Sequence, residues 1–220
     1  ESLTFSISSL YNAHGCVLAP SGMAAITTGL MSVLRSNDHI LVPDSVYGST
    51  RRFVKEEFPK LNIQFEFYNP RDLEHLESLI KDNTSVVYLE SPGTYTFEII
   101  DIQKIVNICR QYNLKSIIDN TWATALYFNP LEFGVDIVIE AITKYISGHS
   151  DIMMGAVVGN NDNLIELERW TKNSGTYVSP DDVYLSLRGL RTLPIRLRQS
   201  SDNSLAIAHF LENKDEVKKV

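Results

Sequence analysis

Two residues in this chain are of types that could do carbonyl chemistry together. Asp119 ends one apolar run and Lys144 follows shortly after another, each among polar neighbours, Asp119-Asn120-Thr121 and Thr143-Lys144-Tyr145. A lysine amine condenses with a carbonyl to form a Schiff base, and a carboxylate within about 4–6 Å of a cation favours the charged form of that cation. Taken alone, the pair reads first as a structural ion pair or as two unrelated surface residues. Other chemistries are set aside more firmly. There is no GxxxxGK[ST] loop and no GxGxxG turn after an apolar run, so ATP and NAD are not supported. Ser147-Gly148-His149-Ser150-Asp151 holds the residue types of a hydrolase triad. Triad members converge from separate segments, however, and neighbours in one loop cannot stack in relay order. Cys16 and Cys109 are far apart without a CxxC, and His14, His39, His75 and His209 share no ligand spacing. Neither a disulfide framework nor a metal is expected, and a reducing cytoplasm fits.

The elements that must position Asp119 and Lys144 follow from the apolar pattern. Short runs rich in Val, Ile and Leu recur between stretches of helical period, the signature of a buried, largely parallel sheet with helices on its faces. Strands are expected near Cys16 to Ala19, His39 to Val42, Ile63 to Tyr68, Val86 to Glu90, Ser116 to Asp119, Asp136 to Ala141 and Gly155 to Val158. In such sheets the ligand crevice lies beyond the carboxyl ends of the strands, where Asp119 and Lys144 both fall. Met23, Ile26, Leu30 and Leu34 mark one helix after Ser21-Gly22, and Ile102, Ile105, Val106 and Ile108 mark another after Asp101. A long helical stretch from Ser179-Pro180-Asp181 to about Leu211 is expected to kink or break at Pro194.

Composition bounds the partners. The 220 residues are 44% hydrophobic and 21% charged, ordinary globular usage, and suffice for one principal domain. A net charge of −7 argues against nucleic acid, and no apolar stretch approaches the roughly 18 residues that span a bilayer. The run Lys214-Asp215-Glu216-Val217-Lys218-Lys219-Val220 reads as a solvated helix face.

The strings around the two chemical residues carry a family resemblance. Pro20-Ser21-Gly22-Met23-Ala24-Ala25, Leu89-Glu90-Ser91-Pro92-Gly93, Ile118-Asp119-Asn120-Thr121-Trp122-Ala123, Thr143-Lys144-Tyr145-Ile146-Ser147-Gly148-His149-Ser150-Asp151 and Arg188-Gly189-Leu190-Arg191-Thr192-Leu193 stand in this order. The sequence resembles the Cys/Met-metabolism enzymes that use pyridoxal 5′-phosphate (PLP). Within them, Ser-Pro-Gly after Glu90 and Trp122 after Asp-Asn-Thr resemble the β-lyase branch.

The resemblance implies an α/β large domain of the aspartate-aminotransferase type, with a mostly parallel seven-stranded sheet and helices on both faces. Residues 1–190 would form this PLP-binding domain, and 191–220 a connecting helix and the start of a further domain. Lys144 would hold PLP as a Schiff base and later act as general base at the substrate Cα. Asp119 would pair with the pyridine nitrogen and keep it protonated. Gly22 and Met23, opening a helix after a strand, would bind the phosphate through free backbone N–H groups, and Thr143 would add a hydroxyl donor. Many relatives carry a Ser two positions before that Thr, whereas this chain has Ala141, so one phosphate bond is missing or comes from elsewhere. Tyr47 matches the aromatic that stacks on the pyridoxal ring and assists proton transfer. Trp122 is expected in the pocket wall, and His149 as a brace for the loop after Lys144, with no proton-transfer step.

The reaction implied is β-elimination of L-cystathionine to homocysteine, pyruvate and ammonia, in a homotetramer built from dimers that share active sites. A γ-lyase or γ-synthase of the same family and an inactive shortened product are the competing expectations. The family's N-terminal arm with its Tyr-x-Arg string and the C-terminal Arg that clamps the substrate carboxylate are expected outside this stretch. Arg188, Arg191, Arg196 and Arg198 are expected to be exposed or packing residues and not replacements for that clamp.

Overall fold

The computed structural model describes residues 2–220. In chain order the elements are α1 (Ser2–Leu10), β1 (Gly15–Ala19), α2 (Gly22–Val33), β2 (His39–Pro43), α3 (Gly48–Glu57), β3 (Gln64–Tyr68), α4 (Leu73–Ser78) and β4 (Thr84–Glu90). They continue with α5 (Ile102–Gln111), β5 (Lys115–Asp119), α6 (Thr124–Tyr127), β6 (Ile137–Glu140), β7 (Gly155–Gly159), α7 (Asn161–Asn173), α8 (Pro180–Leu190) and α9 (Leu193–Glu212). The seven strands form one sheet in the order β1-β7-β6-β5-β4-β2-β3. β7 runs antiparallel to both of its neighbours, and every other pairing is parallel. This is the α/β class that the apolar runs imply.

Strand alternation divides the core into two layers. Ile117, Ile137, Ile139 and Val157 face one layer with Ala25, Ile26 and Leu30 of α2, Val54 of α3 and Leu167 of α7. Ile118, Val138, Ala156 and Val158 face the other with Leu3 and Ile7 of α1, Ile105 and Val106 of α5, and Leu193 and Leu197 of α9. All four residues of β6 and all five of β7 are buried, which explains why these strands read as continuous apolar runs. Each fully buried Ile or Leu contributes about 1.5–3 kcal/mol, so the centre of the sheet is the rigid base on which the strand ends are held.

Two expectations change. Ile63 is buried but precedes β3, because Asn62 takes a left-handed φ of 55° and turns the chain into the strand one residue later. The break expected at Pro194 falls just before it, at Arg191 and Thr192. α8 stops at Leu190, and α9 starts afresh at Leu193 with Pro194 in its first turn, where a missing N–H breaks no helical bond. α1 was not expected at all; Leu3, Ile7 and Tyr11 are buried at helical spacing against the sheet.

Candidate active site

A cavity of about 960 Å³ opens beyond the carboxyl ends of β4, β5 and β6, a size typical of cofactor sites. Gly22, Tyr47, Glu90, Asp119, Thr143 and Lys144 are all on its wall, and Met23 and Trp122 join them.

Asp119 and Glu90 are register partners across the β5–β4 pair, so their side chains leave the sheet on the same face. Asp119 is half-buried, and one carboxylate oxygen accepts from the Thr121 N–H at 3.0 Å. Burial raises its pKa above the ordinary carboxylate value, opposed by the Thr121 hydrogen bonds and the charge of Lys144. Among the described residues no basic side chain forms an ion pair with Asp119. Its ionised form therefore has the Lys144 charge nearby but no ion-pair partner, a deficit that a pyridinium nitrogen would fill.

Glu90 is buried and accepts from the Tyr47 N–H at 2.9 Å and from the Thr94 hydroxyl. Burial, then the neighbouring Asp119 charge, push its pKa up to about 7. Glu90 thus fixes the backbone at Tyr47, the residue before α3, whose ring is 45% exposed at the cavity. Sequence reasoning assigned Glu90 no role; a carboxylate ending a buried apolar strand was the available signal.

The start of α2 is built to admit an anion. Ser21 caps the helix, its hydroxyl accepting from the Ala24 N–H at 3.0 Å, and the Ala25 N–H reaches the Ser21 carbonyl. The N–H groups of Gly22 and Met23, first in the helix, have no partner within it. A Cβ on Gly22 would lie 2.8 Å from that of Ala141, so only glycine lets the helix start approach the turn that leads to Lys144. Ala141 itself belongs to this close approach, and its N–H donates to the Thr121 hydroxyl at 2.8 Å.

Thr143 is bonded to Met154. Its hydroxyl donates to the Met154 carbonyl and accepts from the Met154 N–H, both at 3.0 Å, where a phosphate was expected to take its proton. The Thr143 N–H also reaches that carbonyl at 3.1 Å, so Met154 stays satisfied if the hydroxyl proton turns to an anion. Lys144 is exposed to the cavity, on a turn closed by the Gly148 N–H donating to its carbonyl at 2.9 Å.

Trp122 packs edge-on against Phe97 with ring centroids 5.6 Å apart, forming wall as expected. His149 donates from Nδ1 to the Ser147 carbonyl at 2.6 Å, a contact within the loop after Lys144. Arg188, Arg191 and Arg198 are exposed, whereas Arg196 is half-buried with its guanidinium on backbone carbonyls. Behind the site, Tyr11 donates to Glu140 at 2.6 Å and Asn120 donates to Tyr11 at 3.0 Å, a buried network that sequence reasoning did not see. Among the described residues no His, Cys, Asp and Glu group is arranged to hold a metal, and no helix is long and apolar enough to cross a membrane.

A free lysine, a carboxylate without a counter-ion and an open helix start on one cavity define a domain suited to a phosphorylated, cationic carbonyl cofactor. The chain belongs to the family described as Cys/Met metabolism PLP-dependent enzyme, whose profile matches residues 1–220. Its cofactor is accordingly pyridoxal phosphate. It is 39% identical over 208 residues to a cystathionine beta-lyase of Haemophilus influenzae, covering 94% of this chain and 52% of that protein. It is 37% identical over 204 residues to an L-alanine/L-glutamate racemase of Wolbachia pipientis, covering 93% and 50%. The crystal structure of cystathionine gamma-lyase from Lactobacillus plantarum complexed with L-serine superposes with a TM-score of 0.95 at 32% identity, covering 99% of this chain and 57% of that one. The chain spans about half the length of the curated relatives it matches.

Proposed function

We propose that this chain is the cofactor-binding part of a carbon–sulfur lyase that cleaves L-cystathionine by β-elimination to homocysteine, pyruvate and ammonia. The reading is carried by Lys144, Asp119 and the start of α2 lining one cavity, and it is supported by the relatives that bear the β-lyase name. When bound, PLP supplies the electron sink for the pair left at the substrate Cα.

The chain's own residues do the rest. The Gly22 and Met23 N–H groups and the turned Thr143 hydroxyl would hold the phosphate, and the positive end of α2 would add to their pull. The Asp119 carboxylate would hold a proton on the ring nitrogen, an ion pair that would offset the burial disfavouring its charge. Tyr47 covers the ring face, with its backbone fixed by Glu90. Lys144 Nζ would hold the cofactor covalently and, once free, would take the Cα proton. The Cβ–S bond then breaks with its electron pair leaving on sulfur, the thiolate is protonated, and one water completes release of pyruvate and ammonia.

Residues 1–190 form the PLP-binding domain in this reading, and 191–220 lead towards a further domain. The second half of α9, with Leu205, Ile207 and Phe210 exposed, supports that division. The working unit is a homo-oligomer, a dimer of dimers, in the cytoplasm. Free Cys16 and Cys109, with thiols pushed up to about 12 by burial, fit a reducing compartment.

The test is product analysis of the PLP-loaded protein with L-cystathionine. Pyruvate and homocysteine are expected. 2-Oxobutyrate as the main keto acid would assign γ-elimination, and racemisation of alanine or glutamate without sulfur release would assign the chemistry named for the Wolbachia relative.

A further inference from the structure

The loop that follows Lys144 is held by one side chain at the edge of the cavity. Arg196, in the first turn of α9, donates from Nη1 to the Tyr145 carbonyl at 2.7 Å and from Nη2 to the Ile146 carbonyl at 3.2 Å and the Gly189 carbonyl at 2.7 Å. Its Nε reaches the Thr192 hydroxyl at 3.0 Å. Four of the five guanidinium N–H donors thereby meet neutral acceptors, and no carboxylate pairs with it among the described residues. Hydrogen bonds from an ionised donor to carbonyls are roughly twice as strong as neutral ones, and the planar fork fixes direction as well as distance.

Two glycines exist in forms that this contact requires. Gly148 has a left-handed φ of 72°, and a Cβ there would lie 2.0 Å from Arg196 Nη1. Gly189 in α8 is bare towards the loop; a Cβ would lie 2.3 Å from the Ser147 carbonyl oxygen and 2.5 Å from that of Ile146. The loop backbone therefore lies directly on α8 and is fastened by the first turn of α9. On its other side, Ser147 and Gly148 donate back to the carbonyls of Ile142 and Lys144, so the clamp reaches the lysine through its own turn.

We propose that Arg196 is a positioning residue for Lys144: by clamping the Tyr145 and Ile146 carbonyls against Gly148 and Gly189, it sets the turn from which the lysine enters the cavity. It borders the same cavity as Lys144, but four of its five donors are spent on Tyr145, Ile146, Gly189 and Thr192, so its role is to position and not to react. The inference rests on the reading that Lys144 carries the cofactor, but the clamp itself is testable without PLP.

The experiment compares wild type with Arg196→Met, Arg196→Lys and Gly148→Ala by amide hydrogen exchange in the PLP-free protein, and by the rate at which PLP becomes fixed to Lys144 under borohydride. In Arg196→Met and Gly148→Ala, exchange at Ser147 and Gly148 rises about tenfold or more while β6 amides keep their protection, as expected for a local opening. Fixation at Lys144 slows about tenfold, an effect in the range set by loss of charge-assisted hydrogen bonds. Arg196→Lys recovers part of both, since one ammonium reaches some but not all of the carbonyls. Unchanged exchange in Arg196→Met overturns the clamp, and so does equal loss of protection in β6, which would make the arginine a general support of the fold. Absence of PLP on Lys144 in the wild type would instead overturn the cofactor assignment, leaving the exchange result to judge the clamp by itself.

Discussion

Replacing Glu140 by glutamine should make this protein more stable relative to wild type as the pH rises. Glu140 is 2% exposed at the end of β6, among Tyr11, Asn120 and the apolar layer under α1. Burial first, and the charge of Asp119 after it, push its pKa from the ordinary 4.5 up to about 8, against the opposing hydrogen bond from Tyr11. Above about pH 4.5 the unfolded chain releases this proton, while the folded chain keeps it until about pH 8. The stability that comes with a neutral Glu140 is thus complete below about pH 4.5 and is lost progressively as the pH rises through about 8. At about 1.4 kcal/mol per pH unit across that window, the loss is on the order of 3–5 kcal/mol.

The amide introduced by Glu140→Gln would keep an acceptor for the Tyr11 hydroxyl but bring two buried N–H groups. Their desolvation adds a fixed penalty of about 1–3 kcal/mol that does not vary with pH. Urea unfolding at pH 5, 6.5 and 8.5 separates the two effects. The difference between Glu140→Gln and wild type should move in favour of the variant by about 3 kcal/mol or more between the lowest and highest pH, again on the linkage scale. A difference constant to within about 0.5 kcal/mol would refute the reasoning, because it would mean that Glu140 ionises alike in both states.

Two further outcomes follow from the cavity. Asp119→Asn should bind PLP but lower turnover roughly 10- to 1,000-fold, the range set by losing an opposite charge beside the ring nitrogen; steady-state kinetics with the cofactor saturating would check it. Ala141→Ser restores a hydroxyl next to the start of α2, and should slow PLP dissociation about tenfold through one added bond to a charged phosphate, as read by the loss of cofactor absorbance on dilution into apo-acceptor.

Much of the fold was legible because its signals are local. β6 up to Glu140 and β7 are buried throughout and so appear in the sequence as apolar runs, while β5 is buried at Ser116, Ile117 and Ile118 between exposed Lys115 and half-buried Asp119. Asp119 stands out as the polar residue that ends such a run. α1 was not legible, since its serine-rich sequence has little helical preference and it folds through Leu3 and Ile7, which bury only once the sheet exists. The break between α8 and α9 was misplaced at Pro194 because proline serves equally as a breaker and as a first-turn residue. Arg196 and Glu140 were illegible for another reason. Their partners lie far away in the chain, at Tyr145 and Ile146 for the one and at Tyr11 for the other, and only the packed sheet brings them together.

The site residues were read mainly from motif order, and the structure adds what each side chain faces. Asp119 has no ion-pair partner among the described residues, Gly22 is bare because Ala141 stands against it, and Thr143 is bonded to Met154 through a hydroxyl proton that Met154 does not need. These features all concern how PLP is held at Lys144. The most direct test is to load the protein with PLP, reduce it with borohydride, and map the modified peptide by mass spectrometry. One phosphopyridoxyl group on Lys144, absent from Lys144→Ala, is the predicted result. Label on another lysine, or label that persists in Lys144→Ala, would contradict the account.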